Sequence, residues 1–154
     1  MNEEIHIRSM IATDIEAVMD IAAGLRDAPH WDGKAYEATL ARAGEQKGIA
    51  LVAEGPQSGV AGFIVGGLIP PEAEIESVVV RPDLQRQGLA RRLFTAFSAE
   101  ARRLGSSLIL LEVRPSNAAA RAFYQSLGFT ETARRPSYYA DPVEDAILMA
   151  RTLP

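Results

Sequence analysis

Residues 78–92 read Val-Val-Val-Arg-Pro-Asp-Leu-Gln-Arg-Gln-Gly-Leu-Ala-Arg-Arg. A β-branched run enters a short loop, and the loop opens a long amphipathic segment. The first N–H groups of a helix have no partner inside it. Together with the helix dipole they form a positive pocket for an anion. Gly88 and Ala90 keep bulk away from that backbone, and Arg86 and Arg91 add charge. The pattern predicts a phosphate-binding helix start, against the plainer reading of a strand-to-helix turn with a small residue for packing. Three carboxylates, Glu74, Glu76 and Glu112, fall on predicted strands, Glu74 and Glu76 one strand repeat apart on the same face. Tyr124 lies twelve residues beyond Glu112 on a predicted helix. By itself it reads as a core aromatic with a satisfied hydroxyl.

Other chemistries are missing. The chain has no cysteine, hence no disulfide, no thiolate nucleophile and no Cys-ligated metal. His6 and His30 are the only histidines and stand far apart, so no metal site is expected. Neither G-x-x-x-x-G-K-[ST] nor G-x-G-x-x-G is present, and the only lysines are Lys34 and Lys47. At 154 residues with 47% apolar and 23% charged positions, the chain fits one globular domain over 1–154. Its net charge of −4 gives no case for nucleic acid. Yet Arg81–Arg103 holds six arginines against two acids, which suggests a small anionic ligand. The acidic, polar start Met1-Asn-Glu-Glu-Ile-His carries no leader pattern. The apolar stretch Val60–Pro70 is too short and too rich in glycine to span a bilayer. A soluble cytoplasmic protein with no membrane partner is expected.

The elements that must position these residues follow from periodicity and punctuation. Ile5–Met10 alternates as a strand. Thr13-Asp-Ile-Glu16 spells a capping box for a helix to about Leu25, with Ile15, Val18, Met19 and Ala22 as its apolar stripe. Asp32 can cap a second helix through about Ala43, after a loop holding the only tryptophan, Trp31. Strands are predicted near Ile49–Ala53, Val60–Leu68 and Glu74–Arg81, then a helix over Gly88–Leu104 stopped by Gly105. Ser107–Val113 reads as a strand buried on both faces. Ser116 or Asn117 caps a helix to Leu127, and strands near Thr130–Arg134 and Asp145–Thr152 close the chain. The strand–helix–strand order from 74 to 113 implies a parallel pair. The fold class is therefore α/β (α+β mixed): a mixed sheet with helices on its faces.

Gln85-x-x-Gly88-x-Ala90 after a Val-rich strand resembles the acetyl-CoA pyrophosphate loop of the GNAT acetyltransferase superfamily. Leu111-Glu-Val-Arg-Pro-Ser-Asn-Ala-Ala-Ala-Arg-Ala-Phe-Tyr-Gln-Ser-Leu-Gly-Phe129 resembles the second signature block of that superfamily. This block, with Arg135-Pro-Ser-Tyr138-Tyr139 and Glu144–Met149, is similar more narrowly to the ribosomal-protein alanine N-acetyltransferases, the RimI group. The specific likeness covers about residues 73–150, and residues 1–70 match only in the order of their elements. Pro115, Ala90, Arg81 and the segment before Trp31 depart from the group's pattern.

The resemblance implies a twisted, mostly antiparallel sheet of about six or seven strands, flanked by about four helices. Its parallel pair splays at the C-terminal ends. Acetyl-CoA would enter the gap and pair with the backbone of Val78, Val79 and Val80. Its pyrophosphate would rest on the loop from Gln85 through Arg86, Gln87, Gly88, Leu89 and Ala90, with Arg91, Asn117, Ala120 and Tyr124 as further cofactor contacts. Glu112 matches the group's base and Tyr124 its general acid. Tyr138 and Tyr139 would line the acceptor cleft, with Trp31 as an opposite wall. Glu74 and Glu76 are left as amine-binding or alternate base residues. The acceptor would be a peptide N-terminus, alternatively a small amine or a lysine side chain, attacked directly in a ternary complex without metal. A non-catalytic acyl-CoA-binding module would need neither Glu112 nor Tyr124. Monomer and homodimer are both open.

Overall fold

A computed structural model describes residues 4–140 and 142–154. The absence of a leader pattern was read partly on residues 1–3, outside the described residues. One seven-stranded sheet organises the chain. The strands are β1 (His6–Ser9), β2 (Gly48–Gly55), β3 (Gly59–Ile69), β4 (Glu72–Val80), β5 (Leu108–Val113), β6 (Thr130–Tyr139) and β7 (Glu144–Thr152). Their spatial order is β1-β2-β3-β4-β5-β7-β6, antiparallel throughout except for the β4–β5 pair. The helices are α1 (Ile15–Ala23), α2 (Gly33–Gly44), α3 (Leu89–Arg103) and α4 (Ala118–Ser126). Among the described residues, no helix is long and apolar enough to cross a membrane.

Two cores hold the sheet. On one side Leu93 and Phe97 of α3, both fully buried, pack with Ile64, Ile109 and Ile147. On the other, Val18 of α1 and Tyr36 of α2 cover Val52, Phe63 and Val65. Each such apolar side chain contributes roughly 1.5–3 kcal/mol by leaving water. Gly66 serves this packing. A Cβ there would collide with the Glu74 carbonyl oxygen and stand 2.7 Å from the Phe97 ring.

The sheet opens where a bulge breaks its register. Val65 pairs with Ser77, but Gly66 pairs with Ile75, so Glu76 is an extra residue on β4. The β4–β5 ladder stops at Glu74 and Leu110, while β5 continues alongside β7 to Val113 and Ile147. Beyond Glu74 the parallel strands diverge, as the resemblance implied.

Several local readings differ. The Thr13–Glu16 capping box does not form. Asp14 instead accepts from Arg8 at 2.8 and 2.9 Å and from the Ile11 N–H at 2.8 Å, because β1 brings an arginine to it. A short 3₁₀ turn, Ala12–Asp14, precedes α1. Strand β5 is fully buried on one face only. Ile109, Leu111 and Val113 are in the core, while Leu108, Leu110 and Glu112 are half-buried along the other face. Strand β6 runs on to Tyr139 through an irregular stretch between Arg135 and Tyr139. The expected caps at Asp32 and Asn117 are present, each accepting from the third residue of its helix, at 2.9 and 3.2 Å.

Candidate active site

The divergence of β4 and β5 leaves a cleft of about 590 Å³. Val78 and Val79 line it from β4, and Val80 is buried in the core behind them. The Gln85 amide donates to the Val80 carbonyl at 3.1 Å and tethers the following turn to the strand end. Arg81 fixes the other side of that turn through Asp83 at 2.7 Å and the Ser58 carbonyl at 2.7 Å. Two left-handed residues, Arg86 at φ 65° and Gly88 at φ 80°, then redirect the chain into α3. A Cβ on Gly88 would meet nothing within 4 Å, so the glycine serves its φ and the space beside it is open. Leu89 plugs the helix start into the core. Ala90 packs partly on the same core, and Arg91 donates to the Ser126 hydroxyl at 3.2 Å. Arg86 and Gln87 are exposed. Of these turn residues, Gln85 reaches the cleft wall and residues 86–91 do not line it. Asn117 and Ala120 do line it, although the Asn117 side-chain oxygen is occupied as the α4 cap.

Glu112 and Tyr124 border the same cleft. The Glu112 side chain is 18% exposed. It lies beside the Tyr138 hydroxyl, which it holds above the usual phenol range, and 3.5 Å from the Arg135 guanidinium. Tyr124 packs against Phe129 and Phe123 at ring distances of 5.7 and 5.5 Å. Burial, with Tyr139 nearby, pushes its hydroxyl up to about 12. At neutral pH it therefore carries its proton and can donate it.

The three candidate bases occupy different states. Glu76, on the bulge, is held by Arg42 of α2 at 2.6 and 3.2 Å. Glu112 has the looser Arg135 contact. Glu74 lies in the cleft without an ion pair among the described residues, and burial followed by the charges of Glu112 and Glu76 raises its carboxyl.

Trp31 lines the cleft and also packs on Tyr36 at 5.3 Å, so the wall and anchor readings hold together. Tyr138 and Tyr139 stand edge to face at 5.1 Å. Arg114 caps the Tyr139 ring at 4.3 Å while bonding Glu144 and the carbonyls of Pro142 and Ala140, each at 3.1 Å. The structure thus gathers Trp31, Glu74, Glu76, Glu112, Tyr124, Tyr138 and Tyr139 around one cavity. The segment before Trp31, where the sequence departs from the group's pattern on the acceptor side, lines the cleft through Leu25–Pro29, whereas sequence reading missed Arg114 and Arg135 as part of the site. Arg135 sat in the motif that pointed to the tyrosines.

The family model of the acetyltransferase (GNAT) family matches residues 15–129. The [ribosomal protein bS18]-alanine N-acetyltransferase of Escherichia coli (strain K12) is 45% identical over 93 residues, 59% of this chain. The chain spans 63% of the length of that curated relative. The crystal structure of the ribosomal-protein-S18-alanine N-acetyltransferase from Escherichia coli superposes with a TM-score of 0.84 at 34% identity, covering 97% of this chain and 94% of that one. The Salmonella typhimurium protein yncA, solved with its cofactor acetyl-CoA, gives 0.82 at 26% identity over 98% and 95%. A family model spanning most of the chain and superposition over nearly its whole length agree, and this chain belongs to the acetyltransferase (GNAT) family.

Proposed function

We propose that this chain is an acetyl-CoA-dependent N-acetyltransferase whose acceptor is a protein N-terminal α-amine. One observation carries the reading: a carboxylate and a protonated tyrosine, Glu112 and Tyr124, border one cleft made by the unpaired β4 edge. The cleft fits the cofactor's chemistry. A strand edge freed from its neighbour offers backbone hydrogen bonds to an extended arm. A left-handed glycine with open space before a fifteen-residue helix suits a pyrophosphate.

Acetyl-CoA supplies an activated thioester carbonyl. The chain's residues handle the protons. An α-amine has a pKa near 8, so roughly a tenth is neutral at pH 7 and able to attack. Glu112 takes the amine's proton, directly or through water, as the new N–C bond forms. The Tyr124 hydroxyl gives its proton to the sulfur as the C–S bond breaks, and the tyrosine regains one from solvent. With no cysteine in the chain, transfer is direct. Trp31, Glu74, Glu76, Tyr138 and Tyr139 shape the acceptor side. Such an enzyme works in the cytoplasm.

Release of free thiol from acetyl-CoA tests the reading. The acceptors are peptides with varied first residues, a lysine side-chain peptide and small amines. Turnover on Ala- or Ser-starting peptides is expected, with kcat lowered roughly 10²–10³-fold in both Glu112→Gln and Tyr124→Phe. Full activity in Glu112→Gln moves the base to Glu74, Glu76 or water. Turnover restricted to small amines discards the N-terminal acceptor.

A further inference from the structure

Most cations around the cleft are committed. Arg42 is taken by Glu76, and Arg114 by Glu144, two carbonyls and a stacked ring. Arg26, with only its neighbour Asp27 at 3.6 Å among the described residues, and Arg135 are less committed, and of these two Arg135 is the one beside Glu112. Its side chain is 56% exposed, its ion pair with Glu112 is long at 3.5 Å, and its guanidinium lies over the Tyr138 ring at 5.5 Å. A guanidinium carries five N–H donors, and beyond the Glu112 contact and the Tyr138 ring this one is left free to bond an incoming group at the rim of the cleft. The carboxylate it approaches is the one expected to take the amine's proton.

This places a carboxylate acceptor and a guanidinium donor 3.5 Å apart at the reacting centre. In an α-aminoacyl group, the amine nitrogen and its own carbonyl oxygen are separated by roughly 3 Å, set by the N–Cα, Cα–C and C=O bonds. The two pairs match. The amine meets Glu112 while the neighbouring carbonyl oxygen accepts from Arg135. A lysine ε-amine or an alkyl amine has no carbonyl at that distance.

We propose that Arg135 reads the carbonyl beside the reacting amine, making the site selective for α-aminoacyl acceptors over plain alkyl and lysine amines. The inference rests on the N-terminal acetyltransferase reading and adds the residue that enforces it. Tyr138, whose ring lies under the guanidinium and whose hydroxyl lies beside Glu112, keeps donor and acceptor in register. Arg135 acts by binding the acceptor, so its loss raises KM and spares kcat.

The test compares an Ala-starting peptide with the same peptide starting in β-alanine, whose carbonyl lies one carbon further away. Wild type, Arg135→Gln and Arg135→Lys are assayed on both. Wild type is expected to prefer the Ala peptide by about tenfold in kcat/KM, the worth of one good charge-assisted hydrogen bond. Arg135→Gln brings that ratio close to one by raising KM for the Ala peptide, with kcat within about twofold. Arg135→Lys, a point charge without the planar fork, keeps part of the preference. An unchanged ratio in Arg135→Gln overturns the proposal. So does a fall in KM for both peptides, which would make Arg135 a cover over Glu112, or an equal fall in kcat on both. Those results leave N-terminal acetylation standing. Wild type that turns over amines but no peptide overturns the N-terminal reading itself, and this inference with it.

Discussion

The two halves of the cleft are built by opposite means. The side proposed for the cofactor rests on fourteen consecutive residues, Val78 to Arg91, of which Val78, Val79 and Gln85 line the cleft and 86–91 lie beyond its wall; the parts expected to work there are main chain: a freed strand edge, two left-handed residues and a helix start. Its side chains mostly serve the protein itself, with Gln85 on the strand end, Leu89 in the core and Arg91 on α4. The acceptor half is made of side chains drawn from the α1–α2 loop, β4, β5 and the β6–β7 region. There Trp31, Glu74, Glu112 and Tyr138 meet although they are far apart in sequence. Main-chain recognition suits a ligand that never changes, because it needs only a conformation. Side-chain recognition suits an acceptor that differs between enzymes, because single substitutions can retune it.

The comparison can be broken at its origin. Gly66→Ala drives a methyl into the Glu74 carbonyl and the Phe97 ring, where β4 bulges and the two halves begin to separate. Overpacking of this kind costs about 3 kcal/mol or more, so a Tm fall of many degrees is expected, with both acetyl-CoA and acceptor binding lost. A variant with wild-type Tm would show the sheet can close that gap elsewhere. Within the cofactor half, Gly88→Ala places a Cβ at φ 80°, at a cost of about 1–2 kcal/mol. KM for acetyl-CoA should rise roughly tenfold, whereas Arg91→Ala should change it less than about threefold. The reverse order would mean that side-chain charge, not main chain, holds the cofactor.

The smallest effect belongs to the acceptor half. Glu74 has its carboxyl raised in the folded chain by burial and by Glu112 and Glu76. A carboxyl raised on folding costs nothing below its ordinary value of 4.5 and costs most above its folded value. Glu74→Gln should therefore raise Tm slightly at pH 7, by thermal melts, and leave it unchanged near pH 3. A Tm that falls at pH 7 would mean Glu74 holds the acceptor half together.

The elements were readable because their signals are local. Asp32 and Asn117 cap their helices as their residue types suggest, and Gly105 and Gly128 adopt the positive φ that stops a helix. Thr13–Glu16 misled because a 3₁₀ turn starts at Ala12, which puts Thr13 inside the turn instead of at its cap, and Asp14, oriented by Arg8 from β1, reaches back to the Ile11 N–H. Strand β5 misled because an apolar run cannot reveal that one face borders a cleft. The segment before Trp31 was marked only by its departure from the group's pattern, and which of its residues face the cleft depends on what α1 and α2 bring beside β4.

The sequence by itself determined the element order, the caps at Asp32 and Asn117, the glycine stops at 105 and 128 and the residue types able to move protons. Each depends on backbone preferences acting over a few residues. Tertiary structure decided which carboxylate pairs with which arginine. It set Glu76 on Arg42, left Glu74 without an ion pair among the described residues, and put Arg135 3.5 Å from Glu112. Those outcomes turn on a one-residue bulge in β4 and an irregular turn in β6, and charge interactions at such distances change with every ångström.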